Sequence, residues 1–146
     1  LFVPVADREV GRTYDWEKRP GLYGLDINTG DIIWSYKLDN VCEDRESASG
    51  DGKCFTGFSA PVSVTGDILF AGALDGRFSA HSTQDGSKLW EFDTLKSFNT
   101  VNSFPAVGGS IDAAGAVIVE DWVFINSGYA THGQMSGNVL LAFSTD

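Results

Sequence analysis

The chain has 146 residues, of which 42% are hydrophobic and 21% are charged, and 17 are glycine. This composition favours one domain, or part of a larger one, built from many short strands joined by tight turns. The net charge of −10 makes nucleic acid an unsuitable partner, because phosphate contacts require clusters of Lys and Arg. No apolar run approaches the ~20 residues that a membrane-spanning helix needs, so the sequence predicts no membrane span.

Short β-rich segments follow one another in an order that recurs along the chain. Residues 1–38 predict three strands, residues 57–93 predict four and residues 109–146 predict three, with no long amphipathic helix. The complete unit contains SAPVSV, ILFAGA, RFSAHS and KLWEF, which we call strands a, b, c and d. The first range lacks strand a and the last lacks strand d. We therefore interpret the three ranges as a partial blade, a full blade and a last partial blade.

The spacing between equivalent positions identifies the repeat. Phe70 and Phe124, both in strand b, are 54 residues apart, and Trp34 and Trp90, both in strand d, are 56 apart. Four short strands repeating at this interval predict an all-β fold of β-propeller blades, each a four-stranded antiparallel sheet. Propellers close with about four to eight blades. We therefore expect these roughly two and a half blades to be part of a larger ring, and the chain to begin inside a longer protein.

The turn between strands c and d carries the most regular motif. In residues 24–34, GLDINTGDIIW, the alternation breaks at Asn-Thr-Gly, where a glycine can take the positive φ that a tight turn needs. A tryptophan follows in strand d, where a large flat side chain can pack between neighbouring blades. The residues expected to have this structural, blade-docking role are Asp26, Thr29, Gly30, Trp34, Gly86 and Trp90.

This motif resembles the docking motif of quinoprotein propellers, the eight-bladed pyrroloquinoline quinone (PQQ) family, which reads Ala-x-Asp-x-x-Thr-Gly-x-x-x-Trp. Gly24 replaces the alanine, the second copy has Ser82 and Asp85 in place of Asp and Thr, and the third copy keeps Ala142. Three longer stretches are PGLYGLDINTGDIIWS, FNTVNSFPAVGGSIDAAGAVIVEDWVFINSGY and GQMSGNVLLAFSTD. They look like the C-terminal third of polyvinyl-alcohol dehydrogenase-like quinoproteins.

The resemblance implies a periplasmic or secreted enzyme in which a Ca²⁺ ion holds PQQ near the propeller axis. Such an enzyme oxidises small or polymeric alcohols and passes electrons to a cytochrome c. The adjacent cysteine pair of the family and a haem-binding Cys-x-x-Cys-His are absent from this sequence, and the catalytic and calcium-ligating residues stay unassigned. Without the rest of its parent propeller, the chain is expected to be inactive and to self-associate. Two alternatives remain: a cofactor-free propeller that acts as a protein-binding or assembly scaffold, and a purely structural fragment.

The long connections between strands predict where a site would lie. The d–a and b–c connections, residues 6–20, 39–57, 93–109 and 129–136, emerge on the same face of a propeller, and functional groups concentrate on such loops. The candidate cofactor-binding residues near this face are Asn102, Gly109, Ser110, Asp112 and Arg77. The last long loop adds Tyr129 and His132 as weaker candidates.

The main candidates also have ordinary structural interpretations. Asp112 suits a hard-metal ligand or a general base, but also a turn aspartate that accepts backbone hydrogen bonds. Gly108 and Gly109 allow the backbone to approach a planar ligand closely, or simply form a loop. Arg77 could pair with a carboxylate of the quinone, or complete an ordinary Asp-Gly hairpin.

The two cysteines, Cys42 and Cys54, both lie in the first d–a connection, with eleven residues between them. No cluster of potential metal ligands with zinc spacing accompanies them. In an oxidising compartment a disulfide is the expected state, and the alternative is a pair of free thiols in a cytosolic protein.

Overall fold

Neighbouring strands pair in antiparallel order into three sheets and one separate hairpin. The computed structural model describes residues 1–8, 15–112 and 114–145. The first sheet contains β1 (Phe2–Val5), β2 (Gly21–Leu25) and β3 (Ile32–Lys37). The second contains β4 (Ser63–Thr65), β5 (Ile68–Gly72), β6 (Arg77–Ser82) and β7 (Lys88–Asp93). The hairpin is β8 (Ser97–Asn99) with β9 (Pro105–Val107), and the third sheet contains β10 (Val117–Val119), β11 (Trp122–Ser127) and β12 (Val139–Ser144).

The predicted all-β architecture of propeller blades is confirmed. The sheets have three, four and three strands, which correspond to strands b–d, a–d and a–c of the repeat. The strands of these three sheets lie within the three predicted ranges, whose exact limits stay a prediction, whereas β8 and β9 lie between the second range and the third. Residues 9–14 of the first long connection, together with Ala113 and Asp146, lie outside the described residues.

Two local features differ from the sequence prediction. The hairpin β8–β9 was not expected, because its strands have only three residues each and its turn uses Ser103 at φ 62° instead of a glycine. Strand a is shorter than predicted, since β4 begins at Ser63 and not at Ser59. Pro61, which has no amide hydrogen to donate to a ladder, lies in the part that does not form a strand.

The turn after β2 forms for the reason that the motif suggests. The Asp26 carboxylate accepts hydrogen bonds from the backbone N–H of Asn28 at 2.7 Å and of Thr29 at 3.3 Å. Both bonds lower the pKa of Asp26, and the bond from the Asn28 N–H has the larger effect. Gly30 closes the turn with φ 80°, a conformation that costs glycine little.

Trp34 then joins the first sheet to the second. Its side chain is 9% exposed, and its indole N–H donates a hydrogen bond of 3.0 Å to the carbonyl of Thr83, in the equivalent turn of the second sheet. The ring stacks on Phe2 with centroids 5.7 Å apart. Gly86 lies so close beneath the ring that an added Cβ would overlap it. The tryptophan thus makes both apolar and polar contacts between blades.

Trp90 occupies the equivalent position of the second sheet but is 38% exposed. Its ring contacts Phe143 of β12 edge-on at 5.2 Å, so it also faces the next sheet. The full burial expected from the repeat is not observed at this position. The reason is that the described residues contain no turn after β12 equivalent to the one that covers Trp34.

His81 lies in the interface between the first two sheets with no exposed surface. Its Nδ1 is 3.1 Å from the carbonyl oxygen of Gly86 and its Nε2 is 2.9 Å from the hydroxyl of Ser79. Because a carbonyl can only accept, Nδ1 carries the proton and Nε2 accepts from the serine. Burial of the ring lowers the pKa of His81 from 6.5, outweighing the effect of the Gly86 carbonyl.

The two tryptophans are therefore expected to contribute different amounts to the stability of the fold. Replacing Trp34 with Ala should reduce the free energy of unfolding by about 3–5 kcal/mol, because a buried ring and its hydrogen bond are lost. Replacing Trp90 with Ala should cost clearly less, since part of that ring already faces solvent. Chemical denaturation of the two variants measures the difference. Equal losses would contradict the assignment of Trp34 as the better buried residue.

The neutral state of His81 predicts a pH dependence of stability. Because the folded-state pKa lies below 6.5, the unfolded chain binds a proton more readily than the folded chain. The stability that the neutral ring contributes is fully present above pH ~6.5 and is lost as the pH falls toward the folded-state pKa. The free energy of unfolding, measured by denaturation between pH 8 and 5, should show this loss. In the His81→Asn variant it should fall less steeply with decreasing pH. An identical slope in the variant would refute the assignment.

Candidate functional site

Segments from three distant parts of the chain stack on the long-loop face. Residues 51–53, from the first d–a connection, lie beside residues 133–136 of the last b–c connection. The Lys53 N–H donates to the carbonyl of Gly133 at 2.9 Å, and the Ser136 N–H donates to the carbonyl of Asp51 at 3.3 Å. The two segments run parallel, as in a short two-stranded sheet.

Residues 109–112, at the beginning of the third unit, lie on the other side of residues 133–136. The Ser110 N–H donates to the carbonyl of Met135 at 2.9 Å, and the Met135 N–H donates back to the Ser110 hydroxyl oxygen at 3.2 Å. The same hydroxyl donates to the carbonyl of Leu74, at the end of the second unit's strand b region. We call residues 51–53, 133–136 and 109–112 the loop layer.

Asp112 is the candidate within the loop layer that retains partial access to solvent. Its side chain is half-buried, and Oδ2 accepts a hydrogen bond from Nε2 of Gln134. Gln134 is 3% exposed, and its Oε1 accepts a bond of 2.7 Å from the His132 N–H. Both ends of the amide are therefore used, and the glutamine fixes one oxygen of the carboxylate. Nothing in the sequence distinguished Gln134, because a single amide in a Gly/Ser-rich loop has no motif.

Gly109 and Ser110 are buried under residues 134–136. A Cβ at Gly109 would overlap the carbonyl of Met135, so the glycine lets two loop backbones approach each other. The hydroxyl of Ser127 accepts from the Gly109 N–H at 2.9 Å and lies 2.7 Å from the hydroxyl of Thr94. The structure thus shows these residues joining loops, while direct contact with a cofactor stays a prediction.

Arg77 lies at the same end of the second sheet but is engaged by protein groups. Its guanidinium pairs with the fully buried carboxylate of Asp75 at 2.6 and 2.9 Å and donates to the carbonyl of Asp39 at 2.8 Å. Burial acts to lower the pKa of Arg77, but the hydrogen bonds and charge of Asp75 outweigh it, so the pKa is raised. The arrangement matches the hairpin interpretation of Asp-Gly-Arg, and pairing with a quinone carboxylate remains untested.

Asn102 lies apart from the loop layer, in the exposed turn of the hairpin β8–β9. Its Oδ1 accepts hydrogen bonds from the Thr100 hydroxyl at 2.6 Å and from the Phe104 N–H at 3.3 Å. It borders a cavity of about 720 Å³ between the hairpin and β12. The structure therefore brings Gly109, Ser110 and Asp112 together and does not bring Asn102 to them. Tyr129 and His132 are exposed at the rim of the last loop.

The predicted disulfide is present. Cys42 and Cys54 are bonded, with Cα atoms 5.3 Å apart, and the bond ties the first d–a connection into a closed ring that includes residues 51–53. Arg45 of the same ring reaches the second sheet, where it pairs with Asp93 at 2.5 Å. Among the described residues, no group of three His, Cys, Asp or Glu side chains is arranged to hold a metal ion. No helix within those residues is long and apolar enough to cross a membrane.

Comparison with known proteins gives two long alignments. The chain is 36% identical over 138 residues to a polyvinylalcohol dehydrogenase of Sphingopyxis sp. (strain 113P3) and to one of Pseudomonas sp.. The alignments cover 88% of this chain. The predicted resemblance is confirmed. The chain spans 21% of the length of these relatives.

Two further comparisons are less extensive, and no protein-family model matches the chain. A 74-residue stretch, 51% of this chain and 10% of the relative, is 30% identical to 1-butanol dehydrogenase (cytochrome c) of Thauera butanivorans. The crystal structure of BamB from Moraxella catarrhalis superposes with a TM-score of 0.50, at 18% identity, over 86% of this chain and 32% of BamB. This last similarity supports the β-propeller fold and nothing further about function.

The ion pairs Arg77–Asp75 and Arg45–Asp93 are expected to contribute differently to stability. Replacing Arg77 with Met leaves the buried Asp75 carboxylate without its charged partner, at a cost of about 3 kcal/mol, because only a backbone amide still bonds to it. Replacing Arg45 with Met leaves Asp93, whose side chain is 55% exposed, to water, at a cost of about 1 kcal/mol or less. Urea denaturation of both variants tests this order, and a larger loss for Arg45→Met would reverse the assignment.

Proposed function

We propose that this chain is part of a PQQ-dependent dehydrogenase that oxidises alcohols and passes the electrons to a cytochrome c. The observation that carries the proposal is the 36% identity to two polyvinylalcohol dehydrogenases over 138 residues. The shorter match to a 1-butanol dehydrogenase (cytochrome c) supports both the alcohol substrate and the acceptor. The disulfide supports a periplasmic or secreted location, because such bonds persist in oxidising compartments.

The described residues fit a quinone site in part. Asp112 presents a half-buried carboxylate at the loop layer. The buried residues Gly109 and Ser110, which precede it, contact residues 135–136 of the last loop. The cofactor, when bound, supplies the two-electron oxidation of the alcohol. A carboxylate beside an anionic quinone requires either a hydroxyl donor or a cation between the two charges. We assign Asp112 to that position, where it would accept a hydrogen bond from an alcohol hydroxyl or face the cation.

The described residues do not fit a complete calcium site. Calcium takes six to eight oxygen ligands, several of them from carboxylates. The loop layer offers two carboxylates, Asp112 and Asp51, and no third acidic or histidine side chain completes a metal-binding group within the described part of the chain. The remaining ligands would have to come from the larger part of the protein that the relatives share and this chain does not include.

The test uses the full-length protein, supplied with PQQ and Ca²⁺, an alcohol and a dye acceptor. We expect quinone absorbance that remains with the protein on gel filtration and alcohol-dependent dye reduction. Asp112→Asn should lower kcat/KM about tenfold or more, because the amide keeps the shape and loses the charge. The control Asp121→Asn, an exposed carboxylate in the short a–b turn, should leave activity unchanged.

Other outcomes separate the alternatives. Neither bound quinone nor dye reduction in the full-length protein would favour the cofactor-free scaffold. Activity that survives Asp112→Asn unchanged would retain the dehydrogenase and remove Asp112 from its site. Turnover by the isolated 146-residue chain would contradict the expectation that the site needs groups from several blades.

A further inference from the structure

We propose that the disulfide-closed ring of residues 42–54 is a positioning element for the candidate site, acting through residues 133–136 on Ser110 and Asp112. The expected effect on cofactor binding rests on the proposed function, whereas the contacts between the ring and Asp112 are those of the loop layer alone. The ring belongs to the connection between the first two sheets, whereas Asp112 belongs to the third unit. No sequence motif links these segments; backbone hydrogen bonds do.

The first step is the contact between the ring and the last b–c loop. Besides the two backbone bonds of residues 51–53, the hydroxyls of Ser49 and Ser136 lie 2.8 Å apart. Gly52 passes so close to the backbone of Gln134 that any side chain at position 52 would overlap its carbonyl. Residues 133–136 therefore have one side fixed by the ring. Arg8, in the first b–c connection, adds a bond of 3.1 Å to the carbonyl of His132.

The second step is the contact between that loop and the candidate site. Met135 and Ser110 exchange two hydrogen bonds, and the Gln134 side chain holds one oxygen of Asp112. All three bonds depend on where residues 134–135 lie, and these residues have little room to move, because Met135 is fully buried and Gln134 nearly so. A displacement on the ring side cannot be absorbed by solvent-exposed side chains. It must move the Asp112 carboxylate or break its hydrogen bond.

The third step is the disulfide. An unconstrained connection of residues 39–57 would have to lose considerable conformational freedom to hold residues 51–53 in register. The bond between Cys42 and Cys54 removes much of that freedom in advance, as a closed loop has fewer accessible conformations. Only a three-residue 3₁₀ turn, Cys42–Asp44, lies within the ring as regular structure. The covalent closure is thus what defines the shape of the ring.

Two glycines in the ring provide a matched pair of variants. Gly50 and Gly52 have φ of 76° and 84°, so an alanine introduces the same backbone strain at either position. A Cβ at position 50 meets no atom within 4 Å, whereas at position 52 it overlaps the Gln134 backbone. Gly52→Ala should therefore displace the backbone of residues 133–136, and Gly50→Ala controls for the backbone strain that alanine introduces at a positive φ. A third variant, Cys42→Ser with Cys54→Ser, opens the ring without adding atoms at the contact.

The first measurement is hydrogen exchange by mass spectrometry on the full-length protein. Its reporters are the backbone amides of Lys53, Ser136 and Ser110, which bond across the layer. We expect at least about tenfold faster exchange in peptides covering residues 51–53, 133–136 and 109–112 for Gly52→Ala and for the double serine variant. Gly50→Ala should match the wild type. Unchanged exchange at residues 109–112 in both test variants would overturn the proposal.

The second measurement is the dissociation constant for PQQ in the presence of Ca²⁺. We expect Gly52→Ala and the double serine variant to bind about tenfold more weakly, a loss typical of removing an outer supporting contact, and Gly50→Ala to bind like the wild type. Faster exchange with unchanged affinity would overturn the positioning role. If the wild-type protein binds no PQQ, the proposed function fails, and the exchange at residues 109–112 alone decides whether the ring controls Asp112. Faster exchange throughout β5 and β6 in Gly52→Ala would show that this variant destabilises the whole fold. In that case, the exchange and the PQQ affinity of the double serine variant decide whether the ring positions Asp112.

Discussion

The contact of Trp34 with the turn of the second sheet is the interaction on which the rest of this structure depends. A sheet of three or four short strands has two faces and cannot bury either by itself. Trp34 covers the gap between two such sheets, and its indole N–H fixes their relative position through the carbonyl of Thr83. The core residues Leu22, Leu38, Phe58 and Leu69 close around it. Once the sheets are aligned in this way, the long connections of successive units emerge side by side.

The loop layer follows from that alignment, and it is held mainly by backbone atoms. Main-chain hydrogen bonds need the two backbones to approach within about 3 Å between donor and acceptor, which side chains usually prevent. Gly52 and Gly109 lie on opposite sides of residues 133–136 and remove that obstacle on both sides. The side chains that do enter the layer, Gln134 and Ser110, each make more than one hydrogen bond. These hydrogen bonds act together with the packing of Ile111 and Met135, which are fully buried.

The sequence predicted those features that repeat, and it missed those that occur once. The spacing of Phe70 and Phe124 identified equivalent strands, and Asn-Thr-Gly identified the turn, because local chemistry fixes both. The hairpin β8–β9 was not predicted, since three-residue strands carry no periodicity, and Trp90 is more exposed than its equivalence to Trp34 implied. Asp112 was singled out, but its partner Gln134 was not. That contact joins residues 22 positions apart, through the folding back of the last b–c connection, which no local pattern encodes.

Buried polar groups also join the candidate site to the neighbouring unit. Hydrogen bonds of buried groups cross between the second and third units: the Ser110 hydroxyl donates to the Leu74 carbonyl, and the hydroxyls of Thr94 and Ser127 lie 2.7 Å apart. Separation of the units would break these bonds and leave the buried Leu74 carbonyl without the Ser110 hydroxyl, at a cost of about 1–3 kcal/mol for an unsatisfied buried group. The polar contacts therefore add to the apolar ones in opposing separation of the units. In the proposed site, the backbone that leads to Asp112 would thus be positioned partly by a contact between units, because Ser110 lies two residues before Asp112 and bonds to Leu74.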